Sequence, residues 1–257
     1  MLNPSLLNNY IGSFFGYGRW SAPIWFVGIE EAGGRTECEL EQRLAVWTSR
    51  GKKELEDAPT FYPQSGNHFW HGQEADLQET WKQLIRMLLV ARGKPDNDDA
   101  ILDNQRSHWG RADGRECLAE LLPLPSPSST TWNYRRWSDL PWLQTRLDYQ
   151  NYVTLKRASF LQQQIEQHKP QVVIFYSSTW HRLWGLIARG VWGQAIPGKL
   201  MGLDCEVTSF YVTRHPRAES DEYFREIGLY LRRKHGHLAG KLNTGRHHPS
   251  ETQRFQI

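Results

Sequence analysis

Cysteine is scarce in this chain. Cys38, Cys117 and Cys205 lie far apart, are odd in number and never pair as C-x-x-C. That argues against a disulfide framework and against a cysteine-based metal or iron–sulfur site. Three reduced thiols are the expectation. Long apolar runs are missing too, since none approaches the roughly 20 residues that cross a bilayer. Met1 to Tyr10 lacks the basic start and apolar run of a signal peptide. No membrane partner is expected, and the chain reads as soluble and cytoplasmic. The phosphate-binding patterns G-x-x-x-x-G-K-[ST] and G-x-G-x-x-G are absent. Ser177 and Ser178 lack a G-x-S-x-G elbow, which leaves a serine hydrolase triad weakly supported. His235, His237, His247 and His248 have no carboxylate cluster beside them, so no metal and no cofactor are expected. No internal repeat and no signature of an obligate protein partner occurs, so a monomer is the expectation.

The net charge of +3 does not by itself point to nucleic acid. Its distribution says more. Arg232, Arg233, Lys234, Lys241 and Arg246 form a stretch without acidic residues. Arg135, Arg136, Arg146, Lys156 and Arg157 outnumber Asp139 and Asp148 in another. Such patches suit phosphates and equally suit a solvated face. The 12 tryptophans include several beside basic groups, as in Arg19-Trp20 and Arg136-Trp137. Aromatics interleaved with arginine suit base stacking, although tryptophan at the margin of a core is the commoner use.

Pro23 to Gly28 reads as a buried strand closed by glycine. Thr36 to Arg50 reads as a helix, and Ala58 to Gly72 as a long loop. In Glu74 to Arg92, Trp81, Leu84, Ile85, Leu88 and Leu89 repeat at helical spacing, and Gly93 and Pro95 stop the helix. Lys94 to Gly114 opens as a polar excursion. Cys117 to Leu122 is an apolar run, and alternating prolines from Pro123 to Pro127 then force an extended, rigid loop. Tyr152 to His168 is a second strong helix. Gln171 to Tyr176 is a buried strand, with Ser177 to Thr179 placed to cap the next helix. Cys205 to Val212 is a third β-like run, and Ser220 is placed to cap a last helix. Helices alternating with apolar strands predict an α/β fold, a mostly parallel central sheet flanked by helices on both faces. One domain over residues 1–235 and a polar, His-rich, loosely packed tail over 236–257 are expected.

In such sheets ligands bind at the carboxyl ends of the strands. That gathers Glu30, Glu31, the Pro123 to Pro127 segment, Ser177, Ser178 and His215 around one cleft. A carboxylate at a strand end can hold and deprotonate water or face a cation. Glycines at 28, 33 and 34 bracket Glu30 and Glu31 and would let a ligand approach the backbone. Pro216 restricts His215, whose imidazole can stabilise charge on a leaving group. Arg214 and Arg217 flank it and suit phosphate.

Two segments resemble the uracil-DNA glycosylase superfamily. Trp25-Phe26-Val27-Gly28-Ile29-Glu30-Glu31-Ala32-Gly33 is similar to its first motif, a buried strand ending in glycine and a polar water-positioning residue. Phe210 to Ser220, through Thr213-Arg214-His215-Pro216-Arg217, is similar to its last motif. The match is divergent and covers about a third of the chain. The proline usual in the first motif is replaced by Glu31 or Ala32, and the serine usual after His-Pro by Arg217. Glu30 aligns better than Glu31 with the water-positioning residue. The resemblance implies an α/β/α sandwich and a monofunctional DNA glycosylase that turns a nucleotide out of the stack and leaves an abasic site. Glu30, with Glu31 as the other candidate, would position water. His215 would stabilise the departing base. Ile29, Phe61, Phe69, Trp70 and Ser177 would bind the base, and Arg35, Ser126, Ser128, Arg214 and Arg217 the DNA. The departures and the long loops suggest a bulky or modified pyrimidine of the kind some phages carry, and with it antiviral defence; a uracil-like base and DNA repair stay open beside it. Two alternatives stay open: a non-catalytic binder of modified DNA, and a nucleoside or nucleotide hydrolase using Glu30 and Glu31.

Overall fold

The central strands of this α/β protein are short, largely apolar runs in which nearly every residue is buried. That is the pattern of a sheet covered on both faces. In the computed structural model, which describes residues 1–72 and 74–236, one eight-stranded sheet is formed. Its strands are β1 (Gly16–Tyr17), β2 (Ile24–Gly28), β3 (Leu55–Glu56), β4 (Glu116–Glu120), β5 (Val172–Phe175), β6 (Gly193–Ile196), β7 (Leu200–Asp204) and β8 (Ser209–Val212). They lie in the order β3-β1-β4-β2-β5-β8-β7-β6. β2 runs parallel to β4 and β5, and β5 parallel to β8. The antiparallel pairs sit toward the edges, where β1 meets β4, β7 meets β8 and β6 meets β7.

Among the described residues the α-helices are α1 (Pro4–Ser13), α2 (Glu37–Ser49), α3 (Ala58–Gln64), α4 (Glu79–Ala91), α5 (Asp98–Ser107), α6 (Arg146–His168), α7 (His181–Ala188) and α8 (Asp221–Lys234). None is long and apolar enough to cross a membrane. Ser220 caps α8, as its position predicts, and Thr36 proves to be the cap of α2 and not its first residue.

Several expectations need correction. The first half of the expected loop at Ala58 to Gly72 is helix α3, with Pro59 in its first turn, where proline costs no hydrogen bond. The polar excursion after Lys94 contains α5, capped by Asn97 and favoured by Asp98 and Asp99 at its positive end. α4 starts at Glu79 rather than Glu74. α6 starts at Arg146 rather than Tyr152, because Thr145 caps it. Ser177 to Thr179 do not cap α7. A tight turn at Ser178–Trp180 intervenes, and Trp180 precedes α7 without a side-chain cap. The hairpin of β6 and β7, broken by Pro197-Gly198, carried no clear alternation. The tail expected from residue 236 lies, beyond Gly236, outside the described residues.

Counted along the parallel strands, the chain steps from β2 out to β4 on one side and then to β5 on the other. The strand order therefore reverses at β2, which opens a crevice beyond the carboxyl ends of β2 and β5.

Candidate functional site

A cavity of about 970 Å³ opens at that crevice. Its walls come from the segments after β2, β4, β5 and β8, together with Tyr62, Phe69, Trp70 and Trp81 from the side of α3 and α4.

The segment after β2 is held straight by its neighbour. Leu121 and Leu122 donate their N–H groups to the carbonyls of Gly28 and Ile29 at 3.0 and 2.7 Å. Ser126 N–H donates to Glu31 O at 2.9 Å, and Ala32 and Ser126 form a parallel bridge. The alternating prolines leave only Leu124 and Ser126 with N–H groups between 123 and 127. Leu124 donates to Tyr149 Oη and Ser126 to Glu31. Gly34 has φ +63, and a Cβ there would lie 2.3 Å from Pro125 O. The glycine serves this close packing of loop on loop rather than ligand approach.

Glu30 and Glu31 point to different partners. One guanidinium nitrogen of Arg43, from α2, contacts both Glu31 oxygens at 2.9 and 2.8 Å. The same guanidinium takes bonds to Tyr10 and Tyr17 Oη at 2.7 and 2.9 Å. Glu31 is thus consumed in a buried ion pair. Glu30 accepts from Arg146 at 2.6 and 2.8 Å. Arg146 is the first residue of α6 and also reaches Ser126 Oγ and the Ser128 and Thr131 carbonyls. Burial pushes the Glu30 carboxyl up from its ordinary value, opposed by Arg146.

A third carboxylate enters from the end of β4. Glu120 pairs in register with Gly28, and its Oε1 accepts from Tyr176 Oη at 2.6 Å. Its Oε2 has no partner and no solvent contact. Arg157 lies behind it, but that guanidinium is spent on the carbonyls of Leu121, Ile11, Phe14 and Glu120. Glu30, Glu31 and Glu120 thus crowd the cavity floor, where Arg43 is committed to Glu31 and Arg146 to Glu30. Burial, with added repulsion from Glu31 and Glu30, pushes Glu120 up to about 8. The shift favours the protonated, neutral form near pH 7.

His215, exposed at the mouth, accepts the Arg217 N–H on Nδ1 at 3.3 Å. That bond assigns the neutral tautomer with the proton on Nε2. Partial burial of the ring, aided by Arg217, lowers its pKa below the ordinary value. The imidazole is therefore neutral at pH 7 and a hydrogen-bond donor.

Glu30, Glu31, His215, Ile29, Phe69, Trp70, Ser177, Arg35, Ser126, Ser128 and Arg217 all line the cavity. Phe61 does not. It is fully buried against Phe14, Tyr17 and Tyr62, so it is a core residue and not a base platform. Arg214 points away, bonded to Glu219 at 2.6 Å and Gly198 O at 3.2 Å. The Ser126 hydroxyl is buried and committed to the Ser128 and Thr131 carbonyls and to Arg146, which removes it from phosphate contact. Arg43, Glu120, Arg146 and Tyr176 were not anticipated as site residues. The one sequence signal for Glu120 is a lone carboxylate inside the otherwise apolar run from Cys117 to Leu122. Among the described residues no cluster of His, Cys, Asp or Glu suits a metal ion.

Fold and site together define an α/β protein with a large, carboxylate-floored cavity at the reversal point of its sheet. Comparison with protein-family models found none that matches the chain, and comparison with curated proteins found no match.

Proposed function

We propose that this protein is a DNA glycosylase that hydrolyses the N-glycosidic bond of a bulky or modified pyrimidine, on a uracil-DNA glycosylase-like fold. The observation that carries the reading is the placement of Glu30 and His215 on one cavity, each at the carboxyl end of a parallel strand. Glu30, oriented by Arg146, holds a water molecule. The bond from C1′ to the base nitrogen breaks through an oxocarbenium-like sugar. Water oxygen bonds to C1′, and its proton passes to the Glu30 carboxylate. The Nε2–H of His215 stabilises the departing base anion, which then takes up a proton. Glu120, bonded to Tyr176, closes the cavity floor beneath the base. Trp70 supplies an aromatic wall. Arg35 and Arg217 at the rim suit phosphates.

The volume supports a large base. The cleft measures about 970 Å³, rim included, at the top of the range for drug-sized ligand sites, which leaves room for a substituted base beside the flanking backbone. The amides of Gln42, Asn67 and Gln78 on its walls suit a polar substituent. Defence against phages with modified DNA is the biological setting that follows.

The test is abasic-site formation. The protein is incubated with plain, uracil-containing, hydroxymethylcytosine-containing and glucosylated phage DNA, and alkali then reveals strand breaks. Breaks in a modified DNA, abolished by Glu30→Gln and reduced by His215→Ala, are expected. Breaks in uracil DNA alone would remove the modified-base reading. Binding without breaks in any DNA would favour a non-catalytic binder, and release of base from free nucleosides a nucleoside hydrolase.

A further inference from the structure

If a nucleotide leaves the duplex, the gap in the stack has to be filled or the base falls back. Among the large apolar side chains that the described residues leave exposed, Phe69 alone lines the cavity, with 64% of its surface accessible. An isolated exposed apolar side chain needs no explanation in itself, but the backbone beneath this one is fastened. Phe69 N–H donates to Asn67 Oδ1 at 3.1 Å, and Asp76 N–H donates to Phe69 O at 2.9 Å. Gln105, from α5, holds the carbonyls of Trp70 and Asp76 at 2.8 and 2.9 Å. The ring is thus presented on a tied loop, and only its side chain is free.

The segment after β8 provides no such side chain, and Trp180, after β5, is only half-exposed. After His215-Pro216 come Arg217, the small exposed Ala218, and Glu219, which is bonded to Arg214. Trp70, next to Phe69 with ring centroids 6.3 Å apart, packs against the core and faces the cavity. The two aromatics divide their positions, one inside the cavity and one at its lip.

We infer that Phe69 is a positioning residue, the wedge that enters the stack of duplex DNA and occupies the place of the nucleotide turned into the cavity. This rests on the glycosylase reading. Apolar wedges between base steps are a general way to offset unstacking, and an aromatic ring stacks on any base, so the wedge is indifferent to sequence.

The probe is a duplex carrying one tetrahydrofuran abasic-site analogue with 2-aminopurine beside it, compared with the intact duplex. The wild-type protein is expected to prefer the gapped duplex and to change the 2-aminopurine fluorescence as the ring stacks. Phe69→Ala should lose the preference by about 10–100-fold, the range that stacking on one base provides, and should lose the fluorescence change. Phe69→Leu should keep part of the preference. Because Phe69 is exposed, an unchanged melting temperature certifies that the variants fold. A Phe69→Ala variant that retains both preference and fluorescence change overturns the inference, as does a wild-type protein that binds neither duplex. A wild-type protein that shows the Phe69-dependent preference yet releases no base from any DNA upholds the wedge and removes the glycosylase.

Discussion

Tyr176 Oη donates to Glu120 Oε1 at 2.6 Å directly over the Cα of Gly28, where a Cβ would lie 2.1 Å from Tyr176 Oη and 2.4 Å from Glu120 Oε2. The glycine that ends β2 is therefore required by this pair. Gly28→Ala should cost about 1–3 kcal/mol through overpacking and disturb the cavity floor. Gly12→Ala, in α1 with nothing within 4 Å, should be neutral or stabilising by up to about 1 kcal/mol. Urea unfolding of the two variants checks the contrast, and equal stabilities would show that the pair does not constrain Gly28.

Glu120 makes stability depend on pH. Its carboxyl keeps its proton to about 8 in the folded chain and ionises near 4.5 when unfolded. Between these values the folded state binds the extra proton. The contribution is full below about 4.5 and is lost as pH rises through 8, at about 1.4 kcal/mol per pH unit. For a chain of this size that is roughly 3–5 °C in melting temperature per unit. Glu120→Gln, neutral at every pH, should flatten this slope. Melting curves from pH 5 to 9 decide, and parallel profiles would mean that Glu120 is ionised in the folded protein.

Arg146 opposes the rise in the Glu30 pKa, so removing its charge should move that carboxyl further upward. On the glycosylase reading proposed above, Arg146→Met should shift the acid limb of base release to higher pH and cut the rate near pH 6 by about 10-fold, within the usual share of a general base. Single-turnover rates across pH test this. A uniform drop with an unmoved limb would make Arg146 a structural brace alone.

The Glu31–Arg43 pair is buried among Tyr10, Tyr17 and Tyr62. Arg43→Met strands Glu31 and should cost about 3–5 kcal/mol. Adding Glu31→Gln should return part of that loss, because the uncompensated charge goes with it. A double-mutant cycle by denaturant unfolding measures the coupling.

The framework was legible because its signals are local. Strands buried on both faces must be apolar runs, and β2, β5 and β8 are. Helices announce themselves through caps at Thr36 and Ser220 and through the spacing of Trp81, Leu84, Ile85 and Leu88. Polar segments misled. α3 and α5 hide in stretches rich in proline or acid, where the deciding features are a first-turn proline and an Asn97 cap.

The sequence by itself determined the α/β alternation and the gathering of Glu30 and His215 at one edge, since parallel strands bring their following loops together. Only the tertiary structure decided which carboxylate is which. Glu31 is neutralised by Arg43 from α2, Glu30 is held by Arg146 from the start of α6, and Glu120 is left without an ion pair, bonded to Tyr176. Charge pairing acts over a few ångströms in space, whatever the distance along the chain, so no local pattern records it. Phe61 and Phe69 show the same division. Both are aromatic and eight positions apart, yet helix α3 turns one into the core and a tied loop holds the other at the cavity lip.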